Sequence, residues 1–147
     1  MRIKELGHVV LYVYELKRSA DFYRDTLGFP EIMRGQGVAL FSSGRTHHEL
    51  LLIEVGGAPL PKQHSRLGLY HIGFKIGDTP EDARQAFRKL KEKGVKIVGT
   101  SDHTITHSIY ILDPDGNELE LYADVSDAWK RNPRLIMASI KPLDLDL

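Results

Sequence analysis

Two apolar runs of strand length set the pattern of the chain. They are Gly7-His8-Val9-Val10-Leu11-Tyr12-Val13 and Tyr70-His71-Ile72-Gly73-Phe74-Lys75-Ile76, and each opens at a histidine. A helical period follows each. Residues 16–27 predict a first helix that buries Ala20, Phe22 or Tyr23, and Leu27, with Gly28 just past its end. The second helix has sharper limits, with Thr79 as N-cap, Pro80 at its first position, Glu81 and Asp82 at the positive end, and Gly94 closing it. Ala83, Ala86, Phe87 and Leu90 give it one apolar face, while Arg84, Arg88 and Lys91 face water. Further strands are expected at 37–41, 48–55, 95–98, 108–112 and 118–123, with Gly-bearing turns at Ser42-Ser43-Gly44 and Asp113-Pro114-Asp115-Gly116.

The unit is thus strand–helix–strand–strand–strand, present twice, at about 6–57 and 68–125. Gly56-Gly57-Ala58-Pro59-Leu60-Pro61 reads as the linker between the copies, and 130–147 as an extension that covers a neighbouring surface. One such unit cannot bury both faces of its sheet alone, so the two are expected to pair within a single domain of 147 residues.

Composition narrows the chemistry. Twenty Lys and Arg balance twenty Asp and Glu, which argues against a nucleic-acid partner. There is no cysteine, so disulfides, thiolate zinc sites, iron–sulfur clusters and cysteine nucleophiles are excluded. The N-terminal residues carry no apolar leader pattern, and no apolar run approaches the ~20 residues of a membrane span. A cytoplasmic protein is expected. Any metal must be held by imidazole and carboxylate, and the chain has seven histidines.

Alternation places candidate ligands. His8 shares a strand face with Val10 and Tyr12, and His71 shares one with Gly73 and Lys75. In 118–122, Leu119 and Leu121 point to the helix-covered side and leave Glu118, Glu120 and Tyr122 on the other. Repeat symmetry makes His8 and His71 equivalent. With Glu120 they have the composition of a two-histidine, one-carboxylate site for a divalent metal with open positions. A lone strand histidine is more often a hydrogen-bonded core residue; the coincidence across the repeats favours the ligand reading.

Gly7–Val13, Ser19-Ala20-Asp21-Phe22-Tyr23-Arg24-Asp25-Thr26-Leu27-Gly28-Phe29 and Asp113-Pro114-Asp115-Gly116-Asn117-Glu118-Leu119-Glu120-Leu121-Tyr122 together resemble the vicinal oxygen chelate superfamily. That group includes glyoxalase I, fosfomycin-resistance transferases, bleomycin-binding proteins and extradiol catechol dioxygenases. The resemblance covers about 6–129 and implies an α+β fold of two paired βαβββ modules forming a curled mixed sheet around a metal cleft. It implies His8, His71 and Glu120 as the ligands.

Glyoxalase-like members add a fourth ligand from the closing strand of the first module. Setting Val55 on Val125 puts Leu50 opposite Glu120, whereas setting Gly44 on Gly116 puts His48 there; Glu49 faces away in both. His48 is therefore open as a fourth ligand. The stretch His47-His48-Glu49-Leu50-Leu51-Leu52 also resembles a segment of the extradiol branch in which the histidine moves protons without binding the metal; His48 matches it, with His47 as rival. Ser101-Asp102-His103 and Ser108-Ile109-Tyr110 resemble the same branch, and imply His103 and Tyr110 as contacts to the substrate oxygens. Asp124 and Trp129 fit its tail. Thr104 departs from the pattern, standing where glycine commonly follows the loop histidine.

The expectation is an extradiol ring-cleaving dioxygenase taking a small catechol-like aromatic and dioxygen, with His48, Tyr110 and His103 at the reaction and Fe(II) as metal. Mn(II), Ni(II) or Zn(II) would suit the alternatives, a glyoxalase-like lyase or a fosfomycin-type thiol transferase. A bleomycin-resistance-type binder is the non-enzymatic alternative. A homo-oligomer is compatible with the paired modules and the tail.

Overall fold

A computed structural model of the chain describes residues 1–57 and 67–146. Most of the linker at 56–61 and His64 lie outside the described residues. These residues divide into two compact units, one of residues 1–57 with Pro114–Gly116, the other of 67–113 with 117–146.

In the first unit, β1 (Val9–Val13) leads into α1 (Leu16–Asp21), followed by β2 (Glu31–Gly35), β3 (Val38–Phe41) and β4 (Leu50–Glu54). No side chain at Glu15 caps α1. Its first N–H instead donates to Glu54 Oε2 at 2.7 Å, which sets a carboxylate at the positive helix end. The helix then widens into a π-type turn over Phe22–Thr26. This turn carries Tyr23 into full burial against Phe41, and Gly28, at φ +72°, ends the segment as expected. The strand order is β1-β4-β3-β2, with β1 parallel to β4 and the remaining pairs antiparallel. β2 has no counterpart in the sequence reading, because Glu31-Ile32-Met33-Arg34-Gly35 alternates poorly and its ladder is bulged between Glu31 and Met33.

The second unit repeats the plan. β5 (His71–Gly77), α2 (Pro80–Glu92), β6 (Ile97–Asp102), β7 (Thr106–Leu112) and β8 (Glu118–Asp124) give the order β5-β8-β7-β6. Thr79 and Asp82 form a reciprocal capping box at the start of α2. α2 packs on β5, β7 and β8, and Ala83, Leu90, Ile109, Ile111, Leu119, Leu121 and Ala123 are buried. Each large aliphatic in that list contributes about 1.5–3 kcal/mol. β6 begins later and runs further than 95–98, because Val95 N–H closes the end of α2 on the Leu90 carbonyl. The extension lies on its own unit. Lys141 bridges Asp102 on β6, Thr100 Oγ1 donates to the Leu143 carbonyl at 2.7 Å, and Leu145 is buried.

The expected curled mixed sheet around a metal cleft is not what forms. Among the described residues there are two open four-stranded sheets, each with two edges, and no group of three or more His, Cys, Asp or Glu placed to hold a metal ion. The physical reason is visible within each ladder. On the face where the second unit carries Ser108, Tyr110 and Glu120, the matching strand positions of the first are Val38, Leu40 and Leu51. The backbone repeat is therefore not matched by a repeat of donor atoms. No helix among the described residues is long and apolar enough to cross a membrane.

Candidate functional site

The second unit gathers four of the six sequence-predicted residues, three on one sheet face and His103 in the loop between β6 and β7. Burial alternates strictly along β8, with Leu119, Leu121 and Ala123 buried and Glu118, Glu120 and Tyr122 on the opposite side. β5 runs parallel beside it, pairing His71 with Glu118 and Gly73 with Glu120. On the other flank β7 pairs Tyr110 with Glu120.

The resulting contacts form a chain. His71 Nε2 lies 3.1 Å from Glu120 Oε2. Glu120 Oε1 accepts from Ser108 Oγ at 2.6 Å and from the Tyr110 hydroxyl at 3.3 Å. That hydroxyl also meets His103 Nε2 at 2.8 Å. A phenol has one proton, so when Tyr110 donates to Glu120, His103 donates to Tyr110. Burial first, and then the Glu120 charge, push the Tyr110 phenol up to about 12, which keeps it protonated at neutral pH.

His103 is placed by a tight loop. Its N–H donates to the Thr106 carbonyl, and Thr104 takes a left-handed φ of +73° with its N–H on Asp102 Oδ1. At the other end of the face, Glu118 lies 3.8 Å from His71 Nδ1, a buried nitrogen without a hydrogen-bond partner. The Glu118 charge, together with a hydrogen bond to it, also raises the Tyr70 phenol. Lys75 binds both Asp124, at 2.7 Å, and Asp78; with Trp129, these residues line a cavity of about 510 Å³.

The first unit holds the other two predicted residues. His8 is exposed, one residue before β1, and its ring centre is 4.4 Å from that of His48. His47 Nδ1 and His48 Nδ1 are 2.7 Å apart, so one donates to the other. Desolvation, then the neighbouring His8 and His47, hold His48 below the usual imidazole range. The β1–β4 register places Leu51, not Leu50 or His48, at the position matching Glu120. Glu49 therefore lies on the same face as its counterpart Glu118, contrary to both registers read from the sequence. Its carboxylate is occupied by Ser43 N–H at 2.7 Å and Ser43 Oγ at 2.9 Å.

The donor set on the second unit suits a divalent first-row ion in kind, as an imidazole nitrogen beside a carboxylate oxygen. Gly73 keeps the adjacent space free, since a Cβ there would stand 3.7 Å from Glu120 Oε2. Sequence reasoning missed Ser108. Its only signal was a small polar residue two positions before Tyr110, on the same strand face.

The chain matches the model of the Glyoxalase/Bleomycin resistance protein/Dioxygenase superfamily over residues 5–121. It belongs to that superfamily. A catechol-2,3-dioxygenase of Bacillus subtilis (strain 168) is 32% identical over 128 residues, covering 86% of this chain and 44% of the relative. The chain thus spans less than half the length of that relative. The metallothiol transferase FosB of Staphylococcus epidermidis is 34% identical over 122 residues, covering 82% of this chain and 84% of the relative. Among solved structures, a glyoxalase/dioxygenase from Nostoc punctiforme aligns with a TM-score of 0.71 at 22% identity, over 84% of this chain and 92% of that one, which supports the fold.

Proposed function

We propose that this chain is a divalent-metal-dependent, ring-cleaving extradiol dioxygenase of small catechol-like aromatics, with Fe(II) as the metal. The observation that carries the reading is the unbroken chain of contacts from His71, Glu120 and Tyr110 on one sheet face to His103 in the adjoining loop. Similarity to the catechol-2,3-dioxygenase of Bacillus subtilis supports it.

His71 and Glu120 are the metal-holding pair of the second unit. In the first unit, His8 stands at the repeat-related position, one residue before β1. When bound, the iron supplies redox chemistry and a positive charge beside which the diol oxygens are stabilised as anions. Tyr110 and His103 orient a substrate oxygen by hydrogen bonds. In the first unit, His48 is an imidazole held neutral at rest, which suits it to taking up and returning a proton. In the net reaction, one dioxygen adds both atoms across the ring carbon–carbon bond next to the diol, and that bond breaks.

A second reading is favoured by a specific observation. The FosB relative is matched over 84% of its length, against 44% for the dioxygenase. A thiol transferase would use the same metal-holding pair without oxygen. Aerobic incubation of Fe(II)-loaded protein with a catechol panel separates the two. The dioxygenase reading predicts oxygen uptake with a yellow ring-opened product. Thiol conjugation with Mn(II), and no oxygen uptake with any catechol, would replace it.

A further inference from the structure

We infer that Ser108 is a positioning residue: by holding Glu120 Oε1, it leaves Oε2 alone as the oxygen offered to a metal beside His71. The inference rests on the metal-holding role proposed for His71 and Glu120.

Three observations carry it. Ser108 is fully buried, and its hydroxyl donates to Glu120 Oε1 at 2.6 Å. A bond of that length from a hydroxyl to a carboxylate is charge-assisted and strong. The Tyr110 hydroxyl approaches the same oxygen from 3.3 Å, so both hydroxyl donors converge on Oε1. Glu120 Oε2 faces His71 Nε2 at 3.1 Å.

The comparison between the two modules is independent of that geometry. At the position matching Glu120 the first module carries Leu51, and at the position matching Ser108 it carries Val38. Carboxylate and hydroxyl are therefore present together in one module and absent together in the other. A serine needed only for the strand ladder would have no reason to follow the glutamate. A free carboxylate can swing about its last torsion and bind an ion through one oxygen or both. A fixed Oε1 removes that choice, as outer partners do for metal ligands elsewhere.

The test is titration of the metal-free protein with Co(II) alone, followed by visible absorption and calorimetry well below each variant's unfolding midpoint. S108A is expected to bind Co(II) about 10- to 100-fold more weakly than the wild type, with an altered ligand-field band as the second oxygen enters. The shape-matched pair S108T and S108V guards against a packing effect at this buried point. S108T should retain most of the affinity and S108V should lose it. H71A and E120A should lose binding altogether. If they do, while S108A and S108V bind with wild-type affinity and spectrum, the positioning role is overturned and the metal reading stands. If H71A and E120A bind as the wild type does, the metal reading fails and takes the positioning role with it.

Discussion

Thr104 carries the clearest local conflict in the chain. Its φ of +73° is left-handed, a region that costs a non-glycine residue roughly 1–2 kcal/mol. The loop accepts this because the turn sets His103 against Tyr110. Thr104→Gly should therefore raise the unfolding free energy read from urea titration by about 1 kcal/mol or less after the entropy of the added glycine; an unchanged or lower value would show that the loop holds no such strain. The departure from the family pattern at 104 was legible in the sequence, and so were His71 and Glu120, since strand alternation fixes which side chains share a face. Ser108 was not. A lone serine in an apolar strand has no period of its own, and its meaning comes from a cross-strand neighbour that only the register supplies.

Elements show where register and capping were readable. The limits of α2 follow from Thr79, Pro80 and Asp82, and the structure has them in a capping box. Gly77 adds a condition the sequence does not announce, because any Cβ there would collide with the Asp82 side chain. Gly77→Ala should destabilise the protein by about 1–3 kcal/mol, read as a drop in thermal midpoint; a neutral result would mean that the cap relaxes freely. The closing strand of the first module was misplaced because its ends at Gly44 and Val55 are poor anchors. Leu50 and Leu52, both buried, match Leu119 and Leu121, and that pairing puts Leu51 against Glu120. At α1, hydrogen bonds from Lys17 and Arg34 hold the Asp21 carboxyl down to about 2, against an ordinary 3.8. A depressed carboxylate stabilises the fold above its unfolded value, and that contribution disappears as pH falls through about 2. The midpoint difference between wild type and Asp21→Asn should be constant from pH 5 to 7 and shrink toward pH 2; a difference unchanged at low pH would mean that the shift is absent.

For the whole molecule, the doubled βαβββ plan was readable because its apolar runs and helix signals recur in order. The expectation of one curled sheet failed because it came from the resemblance, while each module completes its own open ladder. The second module carries His71, Glu120, Tyr110 and His103 in one chain of contacts, and the first carries a histidine cluster of His8, His47 and His48. Similarity to a dioxygenase matched over 44% of its length and to a transferase matched over 84% leaves the reaction to be decided by chemistry. The most direct measurement is mass spectrometry of the product formed from a catechol by Fe(II)-loaded protein under ¹⁸O₂. Ring-cleaving dioxygenation predicts that one labelled atom is retained in the new carboxylate and the other enters the carbonyl, where it exchanges with water, and that E120A forms no ring-opened product. A product bearing no labelled atom in its new carboxylate, or an equal yield from E120A, would contradict it.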